Sequence, residues 1–185
     1  MKEISDQDIV TWLLTHGKQE HGFRCLMSKY KERMYWHIRK IVVCHEDADD
    51  VLQNTFIKVF RSIERFKGDS GLYTWMYRIA TNESLTHLKK MKRISAKALD
   101  NEELMLSQKL VADTHFEGSV IQETLQNALL TLPTKQRMVF NMKYFDGMKY
   151  KEMSEVLETS VGALKASYHH ARQKIEAYIK KQEII

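Results

Sequence analysis

The sequence predicts an all-α fold: two small helical domains joined by a flexible linker, the C-terminal one containing a helix-turn-helix. Three observations carry this. Apolar residues recur at three- and four-residue steps along most of the chain. One proline and seven glycines in 185 residues are too few turn formers for a barrel or sandwich of many short strands. The patterning also lapses in the middle, where Ala98–Glu103 and Ala112–Gly118 interrupt any long apolar stripe. The domains are therefore set at residues 1–93 and 120–185, with a linker over 94–119. Each domain is small, so its core must be compact.

The elements follow in order. A short helix after Asp6 places Ile9, Trp12 and Leu13 on one face, with Gly17 near its end. A longer helix over roughly 20–44 carries Phe23, Met27, Tyr30, Met34 and Ile38. A third starts at Asp47 or Asp49 and contains Val51, Leu52, Thr55, Phe56, Val59 and Phe60. The chain breaks at Phe66–Gly71, with Asp69 or Ser70 placed to cap the next helix. Leu72, Trp75, Met76 and Ile79 then restart the period to about Arg93, and Leu104–Leu110 can form a short helix within the linker.

The second domain opens with Val120, Ile121, Leu125, Ala128 and Leu129. Pro133 suits the first turn of a helix, where its missing N–H costs nothing. That helix holds Met138, Val139, Met142 and Phe145 and ends at Asp146-Gly147. A short helix over about 149–157 precedes Glu158-Thr159-Ser160, and a last one runs to about Lys180. In that last helix Val161, Leu164, Tyr168, Ala171, Ile175 and Tyr178 form an apolar seam.

Charge narrows the function classes. The formal net charge is +5 and the sequence pI near 9.1. Residues 1–91 carry 15 basic and 12 acidic side chains, net +3. Residues 92–120 carry 4 and 5, net −1, and residues 121–185 carry 10 and 7, net +3. The balance permits a nucleic-acid partner without demanding one. No stretch approaches the roughly 18 apolar residues of a membrane span. Met1–Asp6 shows no apolar core resembling a signal peptide. Cys25 and Cys44 make neither a disulfide framework nor a four-ligand zinc site; both sit in or beside an apolar stripe, where buried structural thiols are the common case. The expectation is a cytoplasmic chain without cofactor, metal or catalytic residues.

Three segments can carry function, each with a purely structural alternative. Opposite the seam of the last helix lie Gly162, Ala166, His169, His170 and Gln173, flanked by Lys165 and Arg172. A short helix, a tight turn and a longer helix with small and polar exposed residues is the layout of a groove-reading pair. The alternative is an ordinary helical hairpin with a solvated face. The run Glu46-Asp47-Ala48-Asp49-Asp50 either favours a helix N-terminus through the macrodipole or presents an acidic docking surface. With His45 nearby it still lacks the glycine and terminal glutamate of an EF-hand loop. Phe66, Tyr73, Trp75 and Tyr77 interleave with Lys67, Arg78 and Asn82, a combination that suits single-stranded nucleic acid; Trp75, however, also falls on the core stripe. His87, Lys89, Lys90, Lys92 and Arg93 can hold phosphates or simply end a helix favourably.

Gly68-Asp69-Ser70-Gly71 is similar to the nucleophile segment of trypsin-like proteases, but the chain has no strand pattern to build the two barrels that chemistry requires. A regulator using only the C-terminal helix pair leaves the acidic helix and the aromatic-basic segment without a role.

Taken together these residues resemble a known family. His45–Phe56 resembles region 2.2 of bacterial sigma-70 family factors, and Phe66–Ala80 is similar to regions 2.3 and 2.4 of the extracytoplasmic-function group. Leu132–Phe140 resembles the opening of regions 4.1 and 4.2, and Val161–Lys165 with Ala171-Arg172 resembles the recognition helix. The resemblance implies a non-enzymatic promoter-specificity subunit of RNA polymerase. Asp47, Asp50, Gln53 and Asn54 would dock on the clamp coiled coil of core polymerase, with Asn54 standing where glutamate is usual. The loop 67–72, through Lys67, Asp69 and Ser70, would hold a flipped base of the −10 element, with Tyr73, Trp75, Arg78 and Asn82 as neighbours. Gly71 sits where the family varies. Lys165, Ala166, His169, His170 and Arg172 would read the −35 major groove. His170 replaces a common arginine and lacks its bidentate fork, which implies a shifted −35 preference. An anti-sigma partner, often membrane-anchored, is implied as well.

Overall fold

The computed structural model describes residues 4–95 and 120–183; the short helix expected over 104–110 lies outside them. Among the described residues there are eight α-helices and no strand. They are α1 (Asp6–Leu14), α2 (Gln19–Val42), α3 (His45–Ser62) and α4 (Leu72–Ser95), then α5 (Val120–Leu130), α6 (Thr134–Tyr144), α7 (Tyr150–Leu157) and α8 (Val161–Glu183). A 3₁₀ turn, Ile63–Arg65, follows α3 directly.

Local chemistry sets the boundaries. Ser5 caps α1: its Oγ accepts the Asp8 N–H at 3.1 Å, and the Asp8 carboxylate accepts the Ser5 N–H at 3.3 Å. The third helix begins at His45, earlier than the acidic run alone predicts, because Cys44 takes an extended conformation and its carbonyl accepts the Ala48 N–H. Its Glu46 and Asp47 then lie in the first turn, where the dipole favours them. Helix α4 begins at Leu72, with the Gly71 carbonyl accepting the Trp75 N–H at 3.1 Å, so Gly71 rather than Asp69 or Ser70 stands at its cap. Pro133 precedes the first turn of α6 with ψ 140° and caps the helix instead of entering it.

Helices α1 to α4 pack as a four-helix unit in which α2, α3 and α4 all touch one another and α1 lies on α2. The α1–α2 contact needs a glycine, since a Cβ on Gly22 would meet the Leu13 nitrogen at 2.8 Å. Asp6 ties the same pair, accepting from Lys29 Nζ at 2.7 Å and from the Tyr30 hydroxyl at 2.5 Å. Burial and that carboxylate push the Tyr30 pKa up. The α2–α3 corner is tight: Val43, a buried β-branched residue, takes φ 72° while Cys44 N–H reaches the Val42 carbonyl. Such a conformation is costly for valine and persists because its burial and the two flanking helices hold it.

The second unit packs α5, α6 and α7 against α8. Three apolar residues of the expected helices are exposed. Val161 sits at the first turn of α8, Phe145 follows the last turn of α6, and Phe60 lies on the edge of α3, where its ring meets Phe23 of α2 edge-on at 5.5 Å and its other side is open. The remaining seam residues Leu164, Ala171 and Ile175 are buried. The apolar core is continuous across the two units: Met138, Val139, Met142, Met148, Met153, Val156 and Leu164 join the cluster built by α1–α4. Among the described residues Ala128, Leu129, Leu132, Phe140, Ala171 and Ile175 form a separate core. Units this small bury too little alone, and each fully buried Met or Leu adds about 1.5–3 kcal/mol when the neighbour covers it.

The seam between the units contains a buried polar node. The His37 side chain, 1% exposed, stacks on Tyr77 at 4.2 Å and lies 3.3 Å from the Asp146 carboxylate. Lys40 pairs with the same carboxylate. Burial pulls the His37 pKa below the ordinary histidine value, despite Asp146. The ring is therefore neutral: Nδ1–H donates to Asp146, and Nε2 accepts from the Thr81 hydroxyl at 2.9 Å. Burial of Asp146 acts to raise its pKa, but the His37 hydrogen bond and the Lys40 ammonium outweigh it and hold the carboxyl below its usual range.

Two measurements check this packing. Gly22→Ala should destabilise the protein by about 1–3 kcal/mol in denaturant melts, because backbone must give way. A neutral buried histidine that charges in the unfolded chain costs stability as pH falls below about 6.5. The loss attributable to His37 at pH 5.5 should reach up to about 1.4 kcal/mol relative to pH 7.5. His37→Gln should show a correspondingly shallower acid dependence; an unchanged slope refutes the assignment.

Candidate functional site

Three surfaces hold the residues singled out from the sequence. The first is the outer face of α3. Asp50, Gln53 and Asn54 are exposed and fall on one stripe, with Asp49 beside them. Asp47 does not share that position: its carboxylate lies 3.0 Å from His87 Nε2 on α4 and is only 16% exposed. Lys58 is likewise engaged with Glu83 of α4. The stripe continues into Ile57 at 40% and Phe60 at 43% exposure, two large apolar side chains facing solvent. A cleft of about 490 Å³ between α2 and α3, bordered by Met27, Asp50, Gln53 and Ile57, indents the same face. The face is acidic at its N-terminal end and apolar at its C-terminal end. Sequence reasoning missed Ile57 and gave Phe60 no role beyond the apolar pattern of its helix; the spacing of Ile57 from Asp50 and Gln53, at i+7 and i+4, was the available signal.

The second surface surrounds the start of α4. Lys67 and Asp69 are exposed and Ser70 half-buried in the 66–71 loop, which turns at Gly68 with φ 77°. Trp75 is buried beneath the loop, its ring 5.3 Å from Phe66, so it anchors the loop and presents little face to a base. At about 100° per residue Trp75, Arg78 and Asn82 share one stripe of α4, and Leu85 and Lys89 continue it. Tyr73 and Tyr77 fall on another side, toward α2. Their rings lie 4.2 Å apart, and the Arg33 guanidinium sits 4.4 Å from the Tyr73 ring. Burial raises the pKa of both phenols. The structure thus joins Lys67, Asp69, Ser70, Arg78 and Asn82 around the loop and the outer stripe. It separates Tyr73 from them and places Trp75 under them.

The third surface belongs to α7 and α8. Met153 and Val156 are buried under α7, and the turn between the helices is short because Glu158 takes the left-handed region at φ 50°. Ser160 caps α8, its Oγ accepting the Ala163 N–H at 3.3 Å. With Leu164 turned inward, Gly162, Lys165, Ala166, His169, His170 and Gln173 are all exposed. The two imidazoles stand 5.9 Å apart. Lys165 Nζ lies 5.9 Å from the Tyr150 ring. Arg172 is exposed but engaged, its Nε donating to Glu176 at 2.6 Å. Small residues beside donors on a helix backed by a second helix permit close approach to a groove and contact with base edges or phosphates.

Between the second and third surfaces runs a groove of about 560 Å³. One wall is the α4 stripe, including Asn82, Leu85 and Lys89; the other is Lys135, Met138 and Val139 of α6 with Leu157 and Leu164. Among the described residues no group of His, Cys, Asp and Glu could hold a metal ion, and no helix is long and apolar enough to cross a membrane.

Comparison with known proteins agrees with this arrangement. Residues 26–94 match the model of Sigma-70 region 2, and residues 122–175 match that of Sigma-70, region 4. The chain is 27% identical over 183 residues to the ECF RNA polymerase sigma-E factor of Haemophilus influenzae, covering 95% of each chain. It is 29% identical over 172 residues to the ECF RNA polymerase sigma factor SigW of Bacillus subtilis, covering 89% of this chain and 91% of that one. Its fold is similar to CnrH, solved in complex with the cytosolic domain of CnrY, with a TM-score of 0.67 at 21% identity over 95% of this chain and 97% of that one. It is also similar to the sigma factor RpoE of Bartonella quintana, solved with the anti-sigma factor NepR, with a TM-score of 0.70 at 18% identity over 85% of this chain and 96% of that one. With regions 2 and 4 in order on an all-helical frame, the chain belongs to the extracytoplasmic-function group of the sigma-70 family.

Proposed function

We infer that this chain is an RNA polymerase sigma factor that binds core polymerase, recognises −35 and −10 promoter elements and directs initiation. The observation that carries the reading is the set of exposed faces. An acidic-apolar stripe on α3, a polar loop and stripe on α4, and a small-residue and histidine stripe on α8 occur in the order of the two sigma regions. Residues 1–93 act as the docking and −10 unit, 120–185 as the −35 unit, with 94–119 between them. No chemical step is required of it: the reaction belongs to the polymerase, and this chain works in the cytoplasm by binding alone.

On α3, Asp50, Gln53 and Asn54 meet the polymerase, and Ile57 and Phe60 supply the desolvated centre that charge alone lacks. Asp47 supports this face from behind through His87. At the −10 element Lys67, Asp69 and Ser70 form the pocket rim and Arg78 and Asn82 the adjoining stripe. Trp75 holds the loop in place, and Tyr73 stiffens α4 against α2. At the −35 element Lys165, Ala166, His169 and His170 enter the major groove, and Arg172 reaches a phosphate after exchanging its Glu176 partner. The two solved neighbours were determined with inhibitory or cytosolic partners, which supports an anti-sigma partner for this chain too.

In vitro transcription with core enzyme tests the reading: the purified chain should direct initiation from promoter-bearing templates, and failure on every promoter-rich template overturns it. Ile57→Ala with Phe60→Ala should weaken core binding roughly tenfold or more, and Ile57→Ala alone, which leaves the Phe23–Phe60 ring contact in place, should weaken it with little change in thermal stability. A charge reversal at Asp50 should weaken it less and in a salt-dependent way. His169→Ala with His170→Ala should lower discrimination for the −35 sequence by roughly 10- to 100-fold while core binding is retained; loss of core binding instead would assign the histidines a folding role.

A further inference from the structure

We propose that Tyr150, the first residue of α7, is a positioning residue for promoter binding. Its ring gathers the ammoniums of Lys143 and Lys165 into a clamp for one backbone phosphate of the DNA beside the −35 groove. The proposal rests on the −35 reading above and adds to it residues outside the groove-reading stripe. Lys143 Nζ lies 5.1 Å from the centroid of the Tyr150 ring and Lys165 Nζ 5.9 Å from it. Both fall within the roughly 6 Å at which an aromatic face attracts a cation. The three side chains come from α6, α7 and α8, so the cluster exists only because the helix pair folds back on α6. Lys143 is fixed from behind, donating to the Met148 carbonyl at 3.3 Å. Tyr150 packs on the rim of the apolar core, and Lys165 is exposed beside Ala166 and His169.

Charge identifies the ligand. Two ammoniums drawn to one ring repel each other, and an anion beside them relieves that repulsion. Lys149 and Lys151 flank Tyr150 in the chain and are exposed. The nearest acids in the chain point elsewhere. The Asp146 carboxylate is 6% exposed and lies against His37 and Lys40, and that of Glu152 turns back to accept the Lys149 N–H at 2.7 Å. The corner is a local excess of positive charge continuous, through Lys165, with the −35 face. The anion such a face meets is the phosphodiester backbone. Lysine suits that role, since its ammonium is a point charge without the fork that reads base edges. A ring that restrains both lysines before binding removes part of the entropy two long side chains lose on ordering. Tyr150 itself touches no DNA in this arrangement and acts through the lysines.

The test has two arms, both on the full chain. In the free protein, nuclear magnetic resonance should show the ε-methylene protons of Lys143 and Lys165 shifted upfield by the Tyr150 ring current. The shift should persist in Tyr150→Phe and vanish in Tyr150→Leu; unshifted signals in the wild type overturn the clamp. In holoenzyme assembled with core polymerase, promoter affinity is measured against salt concentration. Lys143→Gln with Lys165→Gln should flatten the slope of log affinity against log salt by about 1, the loss of one phosphate contact. Tyr150→Leu should weaken promoter binding roughly twofold to fivefold, the change one exposed cation–π contact corresponds to, with core binding retained. Tyr150→Phe should restore it, and the Lys165→Gln penalty should shrink once Tyr150 is leucine. An unchanged slope, additive penalties, or equal losses in the phenylalanine and leucine variants overturn the proposal. If circular dichroism shows that Tyr150→Leu loses its helices, the slope of the double lysine variant decides. Shifted lysine signals with an unchanged slope refute the clamp alone, whereas a chain that directs no initiation refutes the sigma-factor reading.

Discussion

Helix α4 is the constraint on which the rest of the structure depends, because one helix must satisfy three different neighbours at once. Leu72, Met76, Ala80 and Ser84 face the core, all buried. Tyr73, Tyr77 and Thr81 face α2, where aromatic stacking and the His37 hydrogen bond lock the rotation of the helix. That leaves Trp75, Arg78 and Asn82 on the remaining side. A rotation of one residue would turn about 100° and bury Arg78 against the core. The outward stripe is therefore set by what the other two faces will accept. The 66–71 loop is aimed in turn by Trp75 through Phe66.

The docking face on α3 follows from the same packing. Glu83 of α4 takes up Lys58, and the Asp47 carboxylate lies against His87. What remains open to a partner is Asp49 and Asp50 at one end and Ile57 and Phe60 at the other. These contacts sort which charges a partner meets. An acidic approach path with an apolar centre gives both steering and affinity, which neither half gives alone.

Much of this was legible in the residues. The 3.6-residue period placed the helices within a few residues of where they lie, and the short turn before α8 was marked by Glu158-Thr159-Ser160. The exposed histidines of α8 followed from its seam. What was illegible depended on the other side of a contact. Phe60 reads as one more apolar residue of its helix in any periodic count, and only the position of α2 shows that Phe23 meets one edge of its ring and leaves the rest open. Asp47 reads as one carboxylate among four until His87 arrives from a distant helix. Tyr77 reads as one of four aromatics among basic residues; burial at 1% removes it from any surface role. Asp146 has no local signal at all, since an acidic residue before a glycine is ordinary turn chemistry.

The character of the seam bears on how such a protein can work. Two small units could be joined permanently by apolar packing, and much of the core does run across them. A buried carboxylate with a lysine and a neutral histidine is a different device. Removing two charges from water nearly cancels their attraction, so the pair adds little net stability but penalises every misaligned arrangement, where one charge would stay buried alone. The arrangement of the two units is thereby specified sharply. Burial of the Met and Leu of the seam is the larger contribution. The polar node decides only which arrangement forms.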